Sequence, residues 1–407
     1  MPIHLHWYLP TNGDSRDIVG SGDGSQKTLN AVRAGLRPAT FDYLQLLARA
    51  AEQLGFEAVL TPTGTWCEDA WITTAALSSV TTRLKFLVAF RPGLISPTLA
   101  AHQAATFQRI SGGRLLVNIV TGGDSTEQRR FGDHLDHDRR YERTEEFLRV
   151  FRGVGDAAEP FDFRGEHYDI EKAAIPFAPH RPPEIFFGGA SPAAERVAAR
   201  TVDTYLAWGE PPDQIAERLE RMRALAEEAG RTLTFGIRFH VLGRDTAREA
   251  WAEANRLLER LDEFRIRETQ RQLANSESVG QRRMVALHRG DRRDLEVYPN
   301  IWAGYGLVRG GAGTAIVGSH EEVADRIQEY HELGIDHFIL SGQPHLEEAY
   351  HFGEGAAAVL RSRGLVASPE DTGAARPSAT GAGGPAGNGV SAGRAPAPEA
   401  AVPVSRS

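Results

Sequence analysis

Short apolar runs alternate with longer segments of helical period along most of the chain. Eight of the apolar runs predict strands, at 3–9, 58–61, 84–90, 115–120, 184–187, 204–208, 233–242 and 337–340. Amphipathic segments between them predict helices at 41–54, 70–80, 97–110, 141–151, 192–200, 212–229, 246–261 and 321–333. Strands that alternate with helices form a parallel sheet. Because eight strands complete a barrel and none enters its helix through a GxGxxG turn, the order predicts a TIM (β/α)8 barrel.

Two long stretches and the C-terminus depart from a minimal barrel. Residues 11–40 are rich in Gly, Asp and Ser, and residues 262–318 separate the last two predicted helices. Both are predicted to emerge at or beside the upper rim, as lids or binding loops or, equally, as spacers or assembly elements. From residue 366 onward Ala, Gly, Pro and Ser dominate. This composition predicts a disordered tail over 366–407, after a barrel domain at 1–365 that carries 262–318 as a lid insertion.

The composition narrows the functional classes. A chain of 407 residues with 41% hydrophobic and 25% charged residues can bury a full-sized core. The net charge of -8 offers no basic field to a polyanion, which argues against a nucleic-acid partner. The single cysteine, Cys67, excludes an internal disulfide, and neither a CxxC pair nor an HExxH helix is present for a metal. Without a leader pattern or a membrane-length apolar run, we expect a soluble, cytoplasmic protein.

A late strand carries candidate anion-binding chemistry. Gly236, Arg238 and His240 alternate with apolar residues, so they share one face of the strand, which must be the barrel mouth. An arginine fork and a titratable ring two positions apart suit an oxyanion. A buried arginine paired with a carboxylate of a neighbouring strand is the alternative that spacing leaves open.

The end of the fifth predicted strand suits a phosphate. Gly188, Gly189 and Ser191 precede a helix that begins at Pro192, so free backbone N–H groups and the helix dipole converge there. Ser191 and Pro192 also serve ordinary helix initiation. The glycine pair favours the phosphate interpretation.

Several motifs resemble those of the alkanesulfonate monooxygenases, a branch of the bacterial luciferase-like flavin enzymes. The resemblance covers roughly residues 3–360, with the motifs in the same order. They are TPTG at 61–64, CEDAW at 67–71, KFLVA at 85–89, VTG at 120–122, YLAWGEPP at 205–212, GIRFHV at 236–241, LVRGGAGT at 307–314 and PHLEE at 344–348. Enzymes of this kind are TIM barrels and usually homo-oligomers, so the resemblance implies a dimer or tetramer.

The resemblance implies a set of substrate and active-site residues. They are Arg238, His240, a lid arginine at Arg309, His345, Cys67 and Trp208. The sequence alone also allows a structural role for these residues. The glycine-rich loop around Arg309 is then an ordinary flexible loop, and Trp208 and Cys67 are then ordinary core residues. We expect Cys67 to line the pocket without acting as a nucleophile.

The resemblance also implies FMN, used in its reduced form FMNH2 and supplied by a separate NAD(P)H:FMN reductase. With O2, such an enzyme cleaves the C–S bond of a small alkanesulfonate and releases an aldehyde and sulfite. The implied flavin-binding residues are Thr63, Ala89, Asn118 and Thr121 around the ring system, and Tyr141, Gly188, Gly189 and Ser191 around the phosphate. Asn118 would read the pyrimidine edge through its amide.

Four features depart from the family pattern. Asn12 replaces a histidine, Gln343 an active-site tyrosine and Asp138 a serine, and the 11–40 stretch is longer. An amide cannot exchange a proton as a phenol can, so His240 and His345 remain as acid or base candidates. We expect Asp138 to point away from a phosphate or to pair with a neighbouring arginine, Arg139 or Arg140.

These departures keep other functions open. One is another two-component FMNH2-dependent monooxygenase, acting on a sulfone, an alkane or a different small molecule. A deazaflavin-dependent oxidoreductase is a second, and a flavin-binding protein without turnover is a third.

Overall fold

Eight parallel strands close into a barrel in the computed structural model, which describes residues 2–18, 37–156, 159–175, 182–274 and 276–367. The strands of the described chain are β1 (His4–Tyr8), β2 (Ala58–Thr61), β3 (Lys85–Phe90), β4 (Leu115–Ile119), β5 (Phe161–Arg164), β6 (Asp169–Ala173), β7 (Ile185–Gly188), β8 (Thr204–Trp208), β9 (Thr234–Arg244), β10 (Glu296–Tyr298), β11 (Ile301–Trp302), β12 (Ala315–Ser319) and β13 (His337–Ser341). The barrel runs β1-β2-β3-β4-β7-β8-β9-β13, and β13 pairs with β1 to close it. The TIM-barrel prediction is confirmed.

The described chain contains thirteen α-helices, eight of which lie where the sequence predicted a helix. They are α1 (Phe41–Gln53), α2 (Ala70–Ser78), α3 (Pro97–Ser111), α4 (Ser125–Arg130), α5 (His137–Asp156), α6 (Pro192–Thr201), α7 (Pro212–Glu228), α8 (Ala247–Glu259), α9 (Glu263–Ala274), α10 (Val279–His288), α11 (His320–Glu332), α12 (His345–Glu354) and α13 (Ala356–Ser362). Local signals set their starts, as in the reciprocal capping boxes of Thr246 with Glu249 and of Ser319 with Glu322. None of the helices within the described ranges is long and apolar enough to cross a membrane.

Some elements were not predicted. The antiparallel hairpin of β5 and β6 is short and mostly exposed, so it lacks the apolar run of a barrel strand. The 262–318 stretch contains α9, α10, β10, β11, a 3-10 turn at Gly304–Leu307 and most of β12. Residues 19–36 of the first predicted insertion and 368–407 of the predicted disordered tail lie outside the described residues. Val366, the first residue of that predicted tail, is buried against the core.

Strand β9 changes partners along its length. Its Gly236–His240 portion pairs with β13, and its His240–Arg244 portion pairs with β12. The switch occurs at His240, where both neighbouring strands meet β9. β12, at the end of the 262–318 stretch, pairs in parallel with β9. Its backbone hydrogen bonds hold the end of this stretch against the barrel.

Alternation along the strands separates an inner from an outer face. The odd positions of β9 (Ile237, Phe239 and Val241) pack in the main core with the surrounding helices. A second, smaller cluster lies inside the barrel and comprises Tyr8, Ala58, Leu60, Leu87, Leu116, Phe186 and Ile339. Arg238 and His240 therefore face inward, as the strand period predicted.

The N-terminal end of the barrel holds a buried pair of histidines. Nε2 of His6 lies 3.0 Å from Nδ1 of His337, and the two rings stack with 5.3 Å between centroids. Burial lowers the pKa of His6 to about 4, although the charge of Glu57 opposes this and those of His4 and Lys85 add to it. Burial also lowers the pKa of His337, which the charges of His6 and His4 lower further. Both rings are neutral in the folded protein at neutral pH.

We expect this pair to make the fold acid-sensitive. In the unfolded chain both histidines have a pKa of about 6.5, whereas in the folded protein their pKa values are lower. Their contribution to the free energy of unfolding is therefore complete above pH 6.5 and shrinks as the pH falls. For His6 alone the loss approaches roughly 3 kcal/mol by pH 4. Urea unfolding midpoints measured from pH 7.5 to pH 4.5 should fall, and His6→Gln should flatten the decline. The exposed His102 provides the matched control, since His102→Gln should leave the slope unchanged; equal slopes in all three proteins would contradict the assignment.

Candidate active site

Arg238 is a buried cation at the barrel mouth. Its guanidinium lies over the ring of Tyr8, 4.4 Å from the centroid. Nη1 is buried without a hydrogen-bond partner among the described residues, and no described carboxylate forms a salt bridge with Arg238. Burial lowers its pKa to about 10, with Tyr8 opposing and the charge of Arg309 adding to the shift. The alternative from the sequence, pairing with a carboxylate of a neighbouring strand, is therefore not found in the described chain.

Arg309 brings a second guanidinium to the same place from the 262–318 stretch. It follows the 3-10 turn at Gly304–Leu307, is buried, and places Nη1 at 3.5 Å from Oε1 of Gln343. Its guanidinium lies 5.9 Å from the centroid of the Tyr305 ring, which in turn stacks on His240, and its charge lowers the pKa of both Arg238 and His240. A buried guanidinium that lacks a carboxylate partner among the described residues, as Arg238 does, favours an anion over a neutral ligand.

His240 is fixed by partners on both ring nitrogens. Nε2 lies 3.2 Å from the carbonyl oxygen of Ala312, which can only accept, so Nε2 carries the proton. Nδ1 lies 2.8 Å from Oγ of Ser341 and accepts from it. The ring also stacks on Tyr305 with 3.9 Å between centroids. Burial and the charges of Arg309 and Arg238 hold the pKa of His240 far below its ordinary value, so its ring stays neutral.

His345 has a different environment. It begins α12 at the end of β13 and is fully buried. Nδ1 lies 2.8 Å from Oδ1 of Asp14, whereas Nε2 is buried without a hydrogen-bond partner among the described residues. Its ring centroid lies 5.5 Å from that of Tyr8, the ring over which the Arg238 guanidinium lies. Of the two acid or base candidates, His345 alone has a nitrogen available to a ligand.

The remaining predicted active-site residues, Cys67 and Trp208, lie at the C-terminal sides of β2 and β8. Cys67 follows β2, and its Sγ lies 3.7 Å from the carbonyl oxygens of Pro62 and Gly64. Burial raises the pKa of its thiol to about 12, against an opposing hydrogen bond from Thr11, so the thiol stays protonated as its predicted non-nucleophilic role requires. Trp208 ends β8, opposite Arg238 in the strand register, and its ring faces Gly280 of α10.

The residues predicted to bind a phosphate lie together at the β7–α6 junction. Gly188 ends β7, and Ser191 caps α6 by accepting from the backbone N–H of Ala194 at 3.2 Å. The Tyr141 hydroxyl approaches from α5, where a hydrogen bond with Ser191 partly offsets the burial that raises its pKa. A Cβ on Gly189 would lie 3.4 Å from this hydroxyl and 2.5 Å from Cβ of Ala194. A side chain at position 189 would therefore collide with the first turn of α6.

The residues predicted for the flavin ring lie at the C-terminal ends of β2, β3 and β4. Ala89 and Asn118 are register partners on β3 and β4, so they lie side by side. Thr121 follows β4 and is buried, with Oγ1 at 3.3 Å from Oγ1 of Thr144. Thr63 follows β2 and is half-buried. The ends of three adjacent strands thus form one continuous wall beside the phosphate site.

Asp138 points to solvent. Its side chain is 78% exposed, and Oδ1 lies 2.7 Å from Nδ1 of His137. Arg139 instead pairs with Glu166 at 2.5 Å, and Arg140 with Glu277 at 2.9 Å. The aspartate is therefore directed away from the phosphate site, with a histidine rather than an arginine as its partner.

Four residues of the site were missed by the sequence reasoning: Asp14, Tyr8, Tyr305 and Ser341. Asp14 and His345 are 331 positions apart in the chain. The position of Tyr8 at the C-terminal end of the first predicted strand was the one signal available, because inward residues there face the mouth.

Arg238 on β9 and His345 just after β13 lie at the C-terminal side of the barrel, where TIM-barrel enzymes carry their active-site residues. The chain belongs to the luciferase-like monooxygenase family, whose model matches residues 20–337. That family is one of flavin-dependent monooxygenases, in agreement with the resemblance found in the sequence.

Solved structures share the fold at low identity. A riboflavin lyase, determined with modified FMN and riboflavin, gives a TM-score of 0.74 at 20% identity, covering 90% of this chain and 93% of that one. The EDTA monooxygenase from Chelativorans sp. BNC1 gives 0.68 at 21% identity over 90% and 95% of the two chains. A long-chain alkane monooxygenase gives 0.69 at 18% identity over 92% and 96%. At these identities the similarity shows the fold alone.

Proposed function

We propose that the protein is an FMNH2-dependent alkanesulfonate monooxygenase. It would convert an alkanesulfonate, O2 and FMNH2 into an aldehyde, hydrogen sulfite, FMN and water. The observation that carries the proposal is the Arg238 guanidinium, which is buried at the barrel mouth and has no carboxylate partner among the described residues. A bidentate oxyanion such as a sulfonate supplies the missing charge and acceptors.

The residues at the strand ends fit a flavin mononucleotide. Gly189, Ser191 and Tyr141 would hold the phosphate with the first N–H groups of α6, since these three residues meet at the β7–α6 junction. Asn118 and Thr121 would hold the edge of the ring system. When bound in its reduced form, the flavin supplies the two electrons that O2 activation requires.

The side chains around the anion have separable tasks. Arg238 and Arg309 bind and orient the sulfonate. When the C–S bond of the oxygenated carbon breaks, its electron pair leaves with sulfur and the carbon-bound hydroxyl loses its proton. Nε2 of His345 takes this proton, a task that Gln343 cannot perform.

The 262–318 stretch excludes water from this site. It contributes Tyr305 and Arg309 to the buried cluster. It is fastened to the barrel by Arg283, whose guanidinium pairs at 2.7 Å with Glu210 just beyond β8. A dry site protects the oxygenation from wasteful reaction with water. A lid role therefore follows for this stretch.

Two other enzymatic functions differ from the proposed one, the first in its substrate and the second in its cofactor. The replaced positions, Asn12 and Gln343, favour a sister monooxygenase that acts on a sulfone or an alkane. A deazaflavin-dependent oxidoreductase differs in its cofactor. We further propose a separate NAD(P)H:FMN reductase as the electron source, a homo-oligomeric assembly and a cytoplasmic location.

Anaerobic titration tests the cofactor. We expect reduced FMN to bind with a micromolar or lower Kd and a reduced deazaflavin to bind at least tenfold more weakly. After O2 is admitted, the bound FMNH2 should be oxidised faster when an alkanesulfonate is present. Preference for the deazaflavin would refute the FMN proposal, and flavin binding with no substrate effect on oxidation would indicate a protein without turnover.

A further inference from the structure

The Asp14 carboxylate is saturated with hydrogen-bond donors. Oδ1 accepts the backbone N–H of Ser15 at 2.8 Å and lies 2.8 Å from Nδ1 of His345. Oδ2 accepts the backbone N–H of His345 at 2.8 Å and the hydroxyl of Tyr43. The Asp14 residue has no exposed surface. Four donors fill the acceptor sites of an ionised carboxylate and leave no room for a proton on it.

The charge of Asp14 is stabilised from several sides. His345 is the first residue of α12, so its backbone N–H is one of those that a helix leaves unsatisfied, and the positive end of the helix dipole faces Asp14. Burial raises the pKa of Asp14, but the charge of His345 and the hydrogen bonds from His345 and Tyr43 outweigh it and leave that pKa below its ordinary value. Asp14 is therefore an anion at neutral pH.

An ionised carboxylate determines where the proton of His345 lies. It can only accept, so Nδ1 of His345 must carry a hydrogen. In the neutral ring, Nε2 then bears a lone pair, and Nε2 is the buried nitrogen that has no hydrogen-bond partner among the described residues. His240 is held in the opposite tautomer, with the proton on Nε2. The two histidines of the site are thus set for different tasks.

We propose that Asp14 is the positioning residue of the site: it holds His345 in the Nδ1–H tautomer and so presents Nε2 as the atom that takes a proton at the barrel mouth. This inference rests on the proposed monooxygenase function for its catalytic consequence. The tautomer itself follows from contacts within the chain. Asp14 would not touch the substrate, since all of its acceptor sites are occupied.

The charged and titratable groups around His345 belong to four segments: β1, the residues that follow it, α1 and β9. Asp14 and Tyr8 lie on β1 and the segment after it, and Tyr43 lies on α1. Arg238 on β9 stacks on the same Tyr8 ring whose centroid is 5.5 Å from that of His345. The Asp14 anion is the one carboxylate in contact with the His345 ring among the described residues, so its removal changes both the tautomer and the charge balance.

Asp14→Asn tests the proposal, because an asparagine amide can donate to Nδ1 where a carboxylate cannot. In the flavin-free wild type at pH 8, the 15N spectrum should show the His345 ring protonated at Nδ1, assigned by its loss in His345→Gln. In Asp14→Asn the ring should move to the Nε2–H tautomer. When Asp14→Asn is assayed with FMNH2, O2 and an alkanesulfonate, kcat should be roughly 100-fold below the wild-type value, while KM for the sulfonate changes little. The pH dependence of kcat should also differ from that of the wild type.

Tyr43→Phe is the matched control. It removes one hydrogen bond from Asp14 but leaves the contact with His345, so the tautomer and kcat should be retained. Unchanged tautomer or unchanged kcat in Asp14→Asn would overturn the proposal. Should Asp14→Asn fail to fold, an Nε2–H tautomer in the wild type would overturn it by itself. The spectra need no flavin and no turnover, so absence of sulfite formation would count against the proposed function and leave this test standing.

Discussion

Arg238→Ala should abolish turnover while the protein still binds FMN. The guanidinium supplies a charged, bidentate contact to the anion from a site where water cannot replace it. Loss of such a contact in a desolvated site costs several kcal/mol, so kcat/KM for an alkanesulfonate should fall roughly 100- to 1000-fold. The Kd for FMN should stay within about twofold, because the phosphate site is built on β7 and α6 rather than on β9.

Arg238→Lys separates charge from shape. Lysine keeps the positive charge but lacks the planar fork, so activity should recover only partly. The binding of a neutral sulfone of equal chain length, as opposed to its turnover, should be insensitive to the loss of the guanidinium charge. If Arg238→Ala loses FMN and keeps its activity at saturating flavin, the arginine serves the flavin and the anion assignment is wrong.

Gly189→Ala should weaken FMN binding by roughly 10- to 100-fold. The added methyl would lie 2.5 Å from Cβ of Ala194, which is fixed in the first turn of α6, so the junction between β7 and α6 must move. That movement displaces the N–H groups proposed to face the phosphate. Titration of oxidised FMN by its fluorescence gives the Kd directly, and thermal unfolding shows how much stability is lost in parallel.

The matched control for this change is Gly155→Ala. Gly155 lies in α5, where an added methyl meets no atom within 4 Å, so FMN affinity and activity should match the wild type. Riboflavin, which lacks the phosphate, provides a second comparison. Gly189→Ala should weaken FMN far more than riboflavin, and equal losses for the two ligands would place the phosphate elsewhere.

The sequence predicted those parts of the fold that depend on local period and composition. All eight barrel strands were found within two residues of their predicted ends, because a strand buried on both faces reads as a compact apolar run. β12 was missed since its five residues, Ala315–Ser319, follow the 3-10 turn and hairpin without a preceding barrel helix. β12 pairs with the second half of β9, which is distant in the sequence, so no local pattern predicts this pairing.

The same limit applies to the site. Arg238 and His240 were predicted to share a face because a strand has a period of two, and the phosphate junction was predicted from glycines that precede a helix. The contact of Asp14 with His345 depends on barrel closure between β1 and β13, so it is not visible in the spacing of residues. The sequence also could not distinguish His240 from His345, whose difference lies in which ring nitrogen has a partner.

Release of sulfite tests the central proposal most directly. The purified protein would be supplied with FMNH2, O2 and each member of a series of one- to ten-carbon alkanesulfonates, alongside dialkyl sulfones and alkanes of matched length. We expect sulfite and the corresponding aldehyde in equal amounts from at least one sulfonate, and no product from the neutral compounds. Oxidation of a sulfone or an alkane, with no sulfite from any sulfonate, would contradict it.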